Sequence, residues 1–112
     1  MAQLTIPGAL HRTRIFDVDV QLRARVPDAG GGSDSGNHSH RAAELALSLE
    51  IDGSRQWART VPGLTPGEID CIEYHCRLVV EPGRDTRLRA RAGMKHCSLV
   101  ELSLSAVEEQ RE

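Results

Sequence analysis

Aromatic side chains are almost missing from this chain: its 112 residues include one Phe, one Trp and one Tyr. Its core must therefore rest on Leu, Val, Ile and Ala, and stacking on a sugar ring or a nucleic-acid base is a scarce resource. Lysine is scarce too, since Lys95 stands alone beside thirteen arginines. Codon usage in a GC-rich genome accounts for that bias; the functional alternative is that planar guanidinium groups pair with carboxylates on neighbouring subunits. A formal charge of -2 gives no general attraction to nucleic acid or to an anionic membrane. No stretch of eighteen apolar residues occurs, and residues 1–15 lack the charged start and apolar run of a secretion signal. The expectation is no nucleic-acid or membrane partner, and a place in the cytoplasm or in a virion assembled from it. Three cysteines, Cys71, Cys76 and Cys97, cannot all pair within one chain and read as free thiols.

Signatures of catalysis are missing as well. There is no G-x-S-x-G elbow and no H-E-x-x-H, and the G-G-G run at 30–32 leads into a loop instead of a helix. We therefore expect no enzymatic activity and no cofactor. His38 and His40 flank Ser39 and share a side if that stretch is extended, but no third ligand lies nearby. Cys71, His75, Cys76, His96 and Cys97 have the residue types of a zinc set. Strand parity separates them: residues five apart, or adjacent, lie on opposite faces, so no metal site is expected and Cys76 reads as a small core residue. Asp17 and Asp19 have the spacing of paired carboxylates, but Arg23 and Arg25 continue their face, which reads as solvated.

What is present is a period of two. Across 16–26 the chain runs F-D-V-D-V-Q-L-R-A-R-V, with Phe16, Val18, Val20, Leu22, Ala24 and Val26 on one face. A helix would spread these around its circumference, whereas a strand sets them against a core. The pattern recurs at 43–51, 72–80 and 100–106, where Val100, Leu102, Leu104 and Ala106 are expected inward. Residues 1–6 form a candidate edge strand ended by Pro7-Gly8, and 27–40, rich in glycine and nearly free of apolar residues, reads as a long flexible loop. Asp52-Gly53 marks a hairpin. A three-residue loop over Asp52, Gly53 and Ser54 sets Leu49 opposite Trp57 and Leu45 opposite Val61, matching apolar to apolar and aiming Arg59 inward near an edge. Pro62-Gly63-Leu64-Thr65-Pro66-Gly67 is a double turn. A strand over 68–81 follows, then one over 86–92 that Gly93 is expected to break. The charged tail 108–112 is expected to fray. The sum is six to eight strands without a helix, an all-β antiparallel β-sandwich or jelly roll in a single domain.

Charge is unevenly spread. Six basic residues face two acids between Arg77 and Lys95, and four glutamates face one arginine after Ser98. One reading is a solvated hairpin beside a solvated tail. The functional reading is that the basic face of one subunit meets the acidic face of the next. The candidate contact residues are Arg84, Arg87, Arg89 and Arg91 on one side, with Asp28, Asp34, His38 and His40 of the long loop on the other.

The succession I-P-G at 6–8, F-D-V-D-V-Q-L-R-A-R-V, L-A-L-S-L-E-I-D-G, V-P-G-L-T-P-G-E, V-E-P-G-R-D-T-R-L-R-A-R-A-G and L-S-L-S-A-V resembles compact jelly rolls of the C1q/TNF-like kind. Such modules occur in trimeric fibres and in capsid or tail proteins of bacteriophages. The resemblance implies a non-enzymatic structural subunit: a phage decoration, fibre or tail-associated protein that forms a homo-oligomer, a trimer in that family, or binds capsid or tail proteins. The order of strands and turns also resembles β-sandwich carbohydrate-binding modules, which implies a glycan ligand. Trp57 and Tyr74 are the only residues available to stack on sugar, and both fall at positions expected in the core.

Overall fold

The computed structural model describes residues 1–27, 43–63 and 66–109. Seven strands follow in order: β1 (Ala2–Ile6), β2 (Arg14–Arg25), β3 (Glu44–Ile51), β4 (Ser54–Pro62), β5 (Ile69–Val80), β6 (Thr86–Lys95) and β7 (Ser98–Glu108). They form two antiparallel sheets, β1-β6-β3-β4 and β5-β2-β7, packed as a β-sandwich. Among the described residues no helix is present.

The alternating strands make the core directly. Even-numbered residues of β2 from Phe16 to Ala24 are buried, and they meet Leu45, Leu47 and Leu49 of β3 with Leu88 and Ala90 of β6 across the layers. Ile72, Leu78 and Val80 of β5 extend this cluster, and Leu102, Leu104 and Ala106 of β7 pack at its margin. Leu47 is about fully buried, at 1% exposure, so its truncation to Ala removes core contacts worth about 2–5 kcal/mol.

Four details depart from the sequence reading. Leu49 does pair with Trp57 and Leu45 with Val61, but through a two-residue turn instead of a three-residue loop. Asp52 and Gly53 both take positive φ, 51° and 85°, the arrangement of a type I′ hairpin. The register then shifts between Leu49 and Glu50, so Gln56 is the extra residue of a bulge. Gly93 does not end its strand: β6 continues past it, with Gly93 opposite Ala46, to Lys95. Val100 is not inward. A bulge sets Glu101 opposite Arg23 and Leu99 opposite Ala24, which leaves Val100 as the unpaired residue, 44% exposed. The tail is tied down as far as Glu109, whose N–H donates to the Ile15 carbonyl at 2.8 Å.

Candidate functional site

Because both sheets alternate, each presents one polar face to solvent, and the ladder registers determine what meets there. On the β5-β2-β7 face, Asp17 lies opposite Arg77, Asp19 opposite His75 and Gln21 opposite Glu73. His75 Nδ1 is 2.8 Å from Asp19 Oδ1, and its Nε2 is 3.8 Å from Asp17 Oδ1. The hydrogen bond to Asp19 raises the His75 pKa above its ordinary value, partial desolvation opposes the rise, and the charges of Asp19 and Asp17 add to it. Gln21 donates to Glu73 at 3.0 Å and Arg23 to Glu101 at 3.3 Å. Asp19, Gln21, Glu73 and His75, with Ser103 and Ser105 of β7, line a shallow, open hollow of about 500 Å³.

At one end of this face Glu108 receives Arg14 at 3.0 Å and Arg12 at 3.4 Å, and Glu109 receives Arg77 at 2.7 Å. The Arg14 hydrogen bond holds the Glu108 carboxyl below its usual range, desolvation opposes it, and the charges of Arg14 and Arg12 add to it. Glu108 and Glu109, the first two residues of the tail expected to fray, thus act as anchors to Arg14 and to Arg77; 110–112 lie outside the described residues.

The opposite face, on β1-β6-β3-β4, is basic. Arg87, Arg89 and Arg91 leave it in a row beside Lys95 and Arg55, with Glu44 and Glu50 as the strand carboxylates among them. Glu50 takes Arg91 at 3.1 Å and reaches Arg89 at 4.0 Å, and Glu44 lies 3.7 Å from Lys95. Arg89 and Arg91 are therefore partly engaged within their own chain. Arg87 exchanges backbone contacts with the hairpin turn, accepting from the Asp52 N–H at 2.8 Å and donating to Asp52 Oδ1 at 2.9 Å. Among the described residues no carboxylate pairs with the guanidinium of Arg84 or of Arg87. Arg84 lies in the exposed turn before β6, where its N–H donates to the Glu81 carbonyl. Asp28, Asp34, His38 and His40 lie outside the described residues.

Trp57 and Tyr74 reach between the sheets and stack on each other, ring centroids 4.2 Å apart and planes inclined by 13°. They fill the margin of the core instead of presenting a platform to a ligand. Burial raises the Cys76 thiol pKa, and Cys76 sits at that same margin. Cys71, Cys76 and Cys97 are free thiols. Among the described residues no three His, Cys, Asp or Glu side chains gather as a metal site.

Among the partnerships that sequence reasoning missed are His75 with Asp19 and Glu50 with Arg91. Both join residues distant in sequence, and only the strand order and register bring them together. A signal for the first was available, because aligning the buried phases of β2 and β5 antiparallel puts His75 beside the Asp17/Asp19 pair. No protein-family model matches the chain, and no curated protein matches it significantly.

Proposed function

We propose that this protein is a non-enzymatic assembly subunit that stacks on copies of itself or on a larger particle, a virion decoration, fibre or tail-associated role being the setting its strand order suggests. The supporting observation is the unequal charge of its two outward faces, one with a clear excess of basic residues and the other with carboxylates and arginines nearly in balance. The β1-β6-β3-β4 face sets Arg55, Arg87, Arg89, Arg91 and Lys95 against Glu44 and Glu50. The β5-β2-β7 face sets Asp17, Asp19, Glu73 and Glu101 against Arg23, Arg25 and Arg77. Complementary faces on opposite sides of one slab favour front-to-back, heterologous contacts, with charge guiding encounter and register. Arg84 and Arg87, like Arg55, are free to reach a neighbour, since none of them spends its guanidinium on a carboxylate of the described chain.

A second reading, carbohydrate binding, draws on the hollow bordered by Asp19, Gln21, Glu73, His75, Ser103 and Ser105, a set of hydrogen-bonding groups suited to sugar hydroxyls. It lacks an exposed aromatic platform, because Trp57 and Tyr74 are spent on each other.

Reversing Arg84 and Arg87 to Glu together separates the two. The assembly reading predicts a folded variant with a smaller mass in light scattering at low salt than the parent. A parent that is monomeric and gives a clear hit on a glycan array, lost in Gln21→Ala, would reverse the ranking.

A further inference from the structure

The geometry points to the free edge of β5 as the surface on which a second copy of this chain pairs, strand against antiparallel strand, about a two-fold axis at His75. This rests on the reading of the chain as a self-assembling subunit and names the surface and the partner.

Each sheet has two edges, and three of the four are blunted. β1 has only five residues, and it lies beside β7 of the other sheet. β7 is interrupted by the bulge at Val100. β4 carries the bulge at Gln56 and ends at Pro62. β5 is different: it runs for 12 residues from Ile69 to Val80 without a proline, and it pairs with β2 without any register shift. Among the described residues no strand lies on its other side. A long, regular edge of this kind is a template for another strand.

The direction of its unpaired groups follows from the neighbouring bonds. The Val26 N–H donates to the Glu68 carbonyl at 3.0 Å, so the bonded pairs of the β2-β5 ladder fall on even-numbered residues of β5. The Glu109 N–H donating to the Ile15 carbonyl agrees, because it turns the odd-numbered residues of β2 toward β7. The N–H and C=O groups of Cys71, Glu73, His75, Arg77 and Val79 consequently point out from the free edge.

Those five residues read as their own complement. With His75 opposite His75 of the second copy, Glu73 faces the partner's Arg77 twice and Cys71 faces the partner's Val79 twice. On the inner side Ile72 meets Leu78 and Tyr74 meets Cys76. Each His75 remains against Asp17 and Asp19 of its own β2, so the central pair is not two bare cations. Shifting the axis to Tyr74 leaves Arg77 opposite Cys71, and shifting it to Cys76 sets His75 opposite Arg77. The His75 register sets each Glu73 against an arginine, one that also holds Glu109 of its own chain at 2.7 Å, and opposes no two like charges that lack a carboxylate partner. The product is a continuous six-stranded sheet, β7-β2-β5-β5-β2-β7, across two copies.

Val79→Cys tests this register, because directly opposed residues of a bonded antiparallel pair lie about 5.5 Å apart, within disulfide reach. Mild oxidation is expected to convert the variant to a covalent dimer through the partner's Cys71. Adding Cys71→Ser should abolish the bond, and Arg77→Cys, which the Tyr74 axis would favour, should not form it. In a separate variant, His75→Pro removes an edge N–H that β2 does not use and should lower the native mass of the parent. Oligomers that form without the Val79→Cys cross-link overturn the edge pairing and leave the assembly reading intact. Cross-linked dimers that build nothing larger and bind a glycan keep the edge and overturn the structural-subunit reading. A monomer at high concentration whose Glu73, His75 and Arg77 amides exchange slowly overturns the proposal, showing that another segment of the same chain occupies the edge.

Discussion

At the scale of single residues, the informative unit is His75 between Asp17 and Asp19. Neither the aspartates nor the histidine is unusual alone; pairing β2 with β5 makes them one charged group. An NMR titration should give His75 a midpoint above the ordinary value of about 6.5, and Asp19→Asn should bring it down toward that value. The sign for stability follows from the raised folded pKa. The contribution is fully present below the unfolded pKa and is lost as pH rises through the folded one. In denaturant unfolding, the gap between the parent and Asp19→Asn should therefore be wider at about pH 6 than at about pH 9. A gap that widens with alkalinity would contradict the pairing. Glu108 behaves in the opposite sense: its lowered pKa means that the Arg14 contact contributes above the ordinary carboxylate range and fades as pH falls through the folded value. Glu108→Gln should thus cost stability at neutral pH and little in strong acid.

At the scale of elements, turns and close approaches decide register. Gly53 holds φ at 85° in the hairpin turn, so Gly53→Ala should cost about 1–2 kcal/mol in denaturant unfolding. Gly8 is constrained differently: a Cβ there would run into the Arg84 carbonyl and lie 2.6 Å from the Arg84 nitrogen. Gly8→Ala should accordingly destabilise the crossing of the β1-β2 connection over the turn before β6, and lower the melting temperature. The core strands were readable in the sequence because a period of two, unlike an isolated residue, carries its own geometry. Phe16 to Ala24 and Leu45 to Leu49 are buried as the alternation required. The bulges at Gln56 and Val100 were not readable, since one extra residue leaves composition unchanged and is set by the neighbouring strand. Gly93 misled for a related reason: its place opposite Ala46 in a paired strand supplies the support that its own propensity lacks. Of the candidate contact residues, the arginine row was legible as a face, but its capture by Glu50 depends on β3 lying beside β6.

At the scale of the whole molecule, one outer face of the sandwich is basic and the other sets four carboxylates against three arginines, and the core must survive any test of those faces. Leu88 has no exposed surface, so Leu88→Asp should unfold the domain by burying an unpaired charge, while Arg84→Glu with Arg87→Glu should leave circular dichroism unchanged. The central claim is association through complementary charge, and sedimentation of the parent protein at increasing ionic strength measures it most directly. Charges at a contact rim are screened over about 8–10 Å near physiological salt. The account predicts a mass of several chains at low salt that falls as salt is added, toward the dimer paired through β5. A mass of one chain at low salt would contradict it.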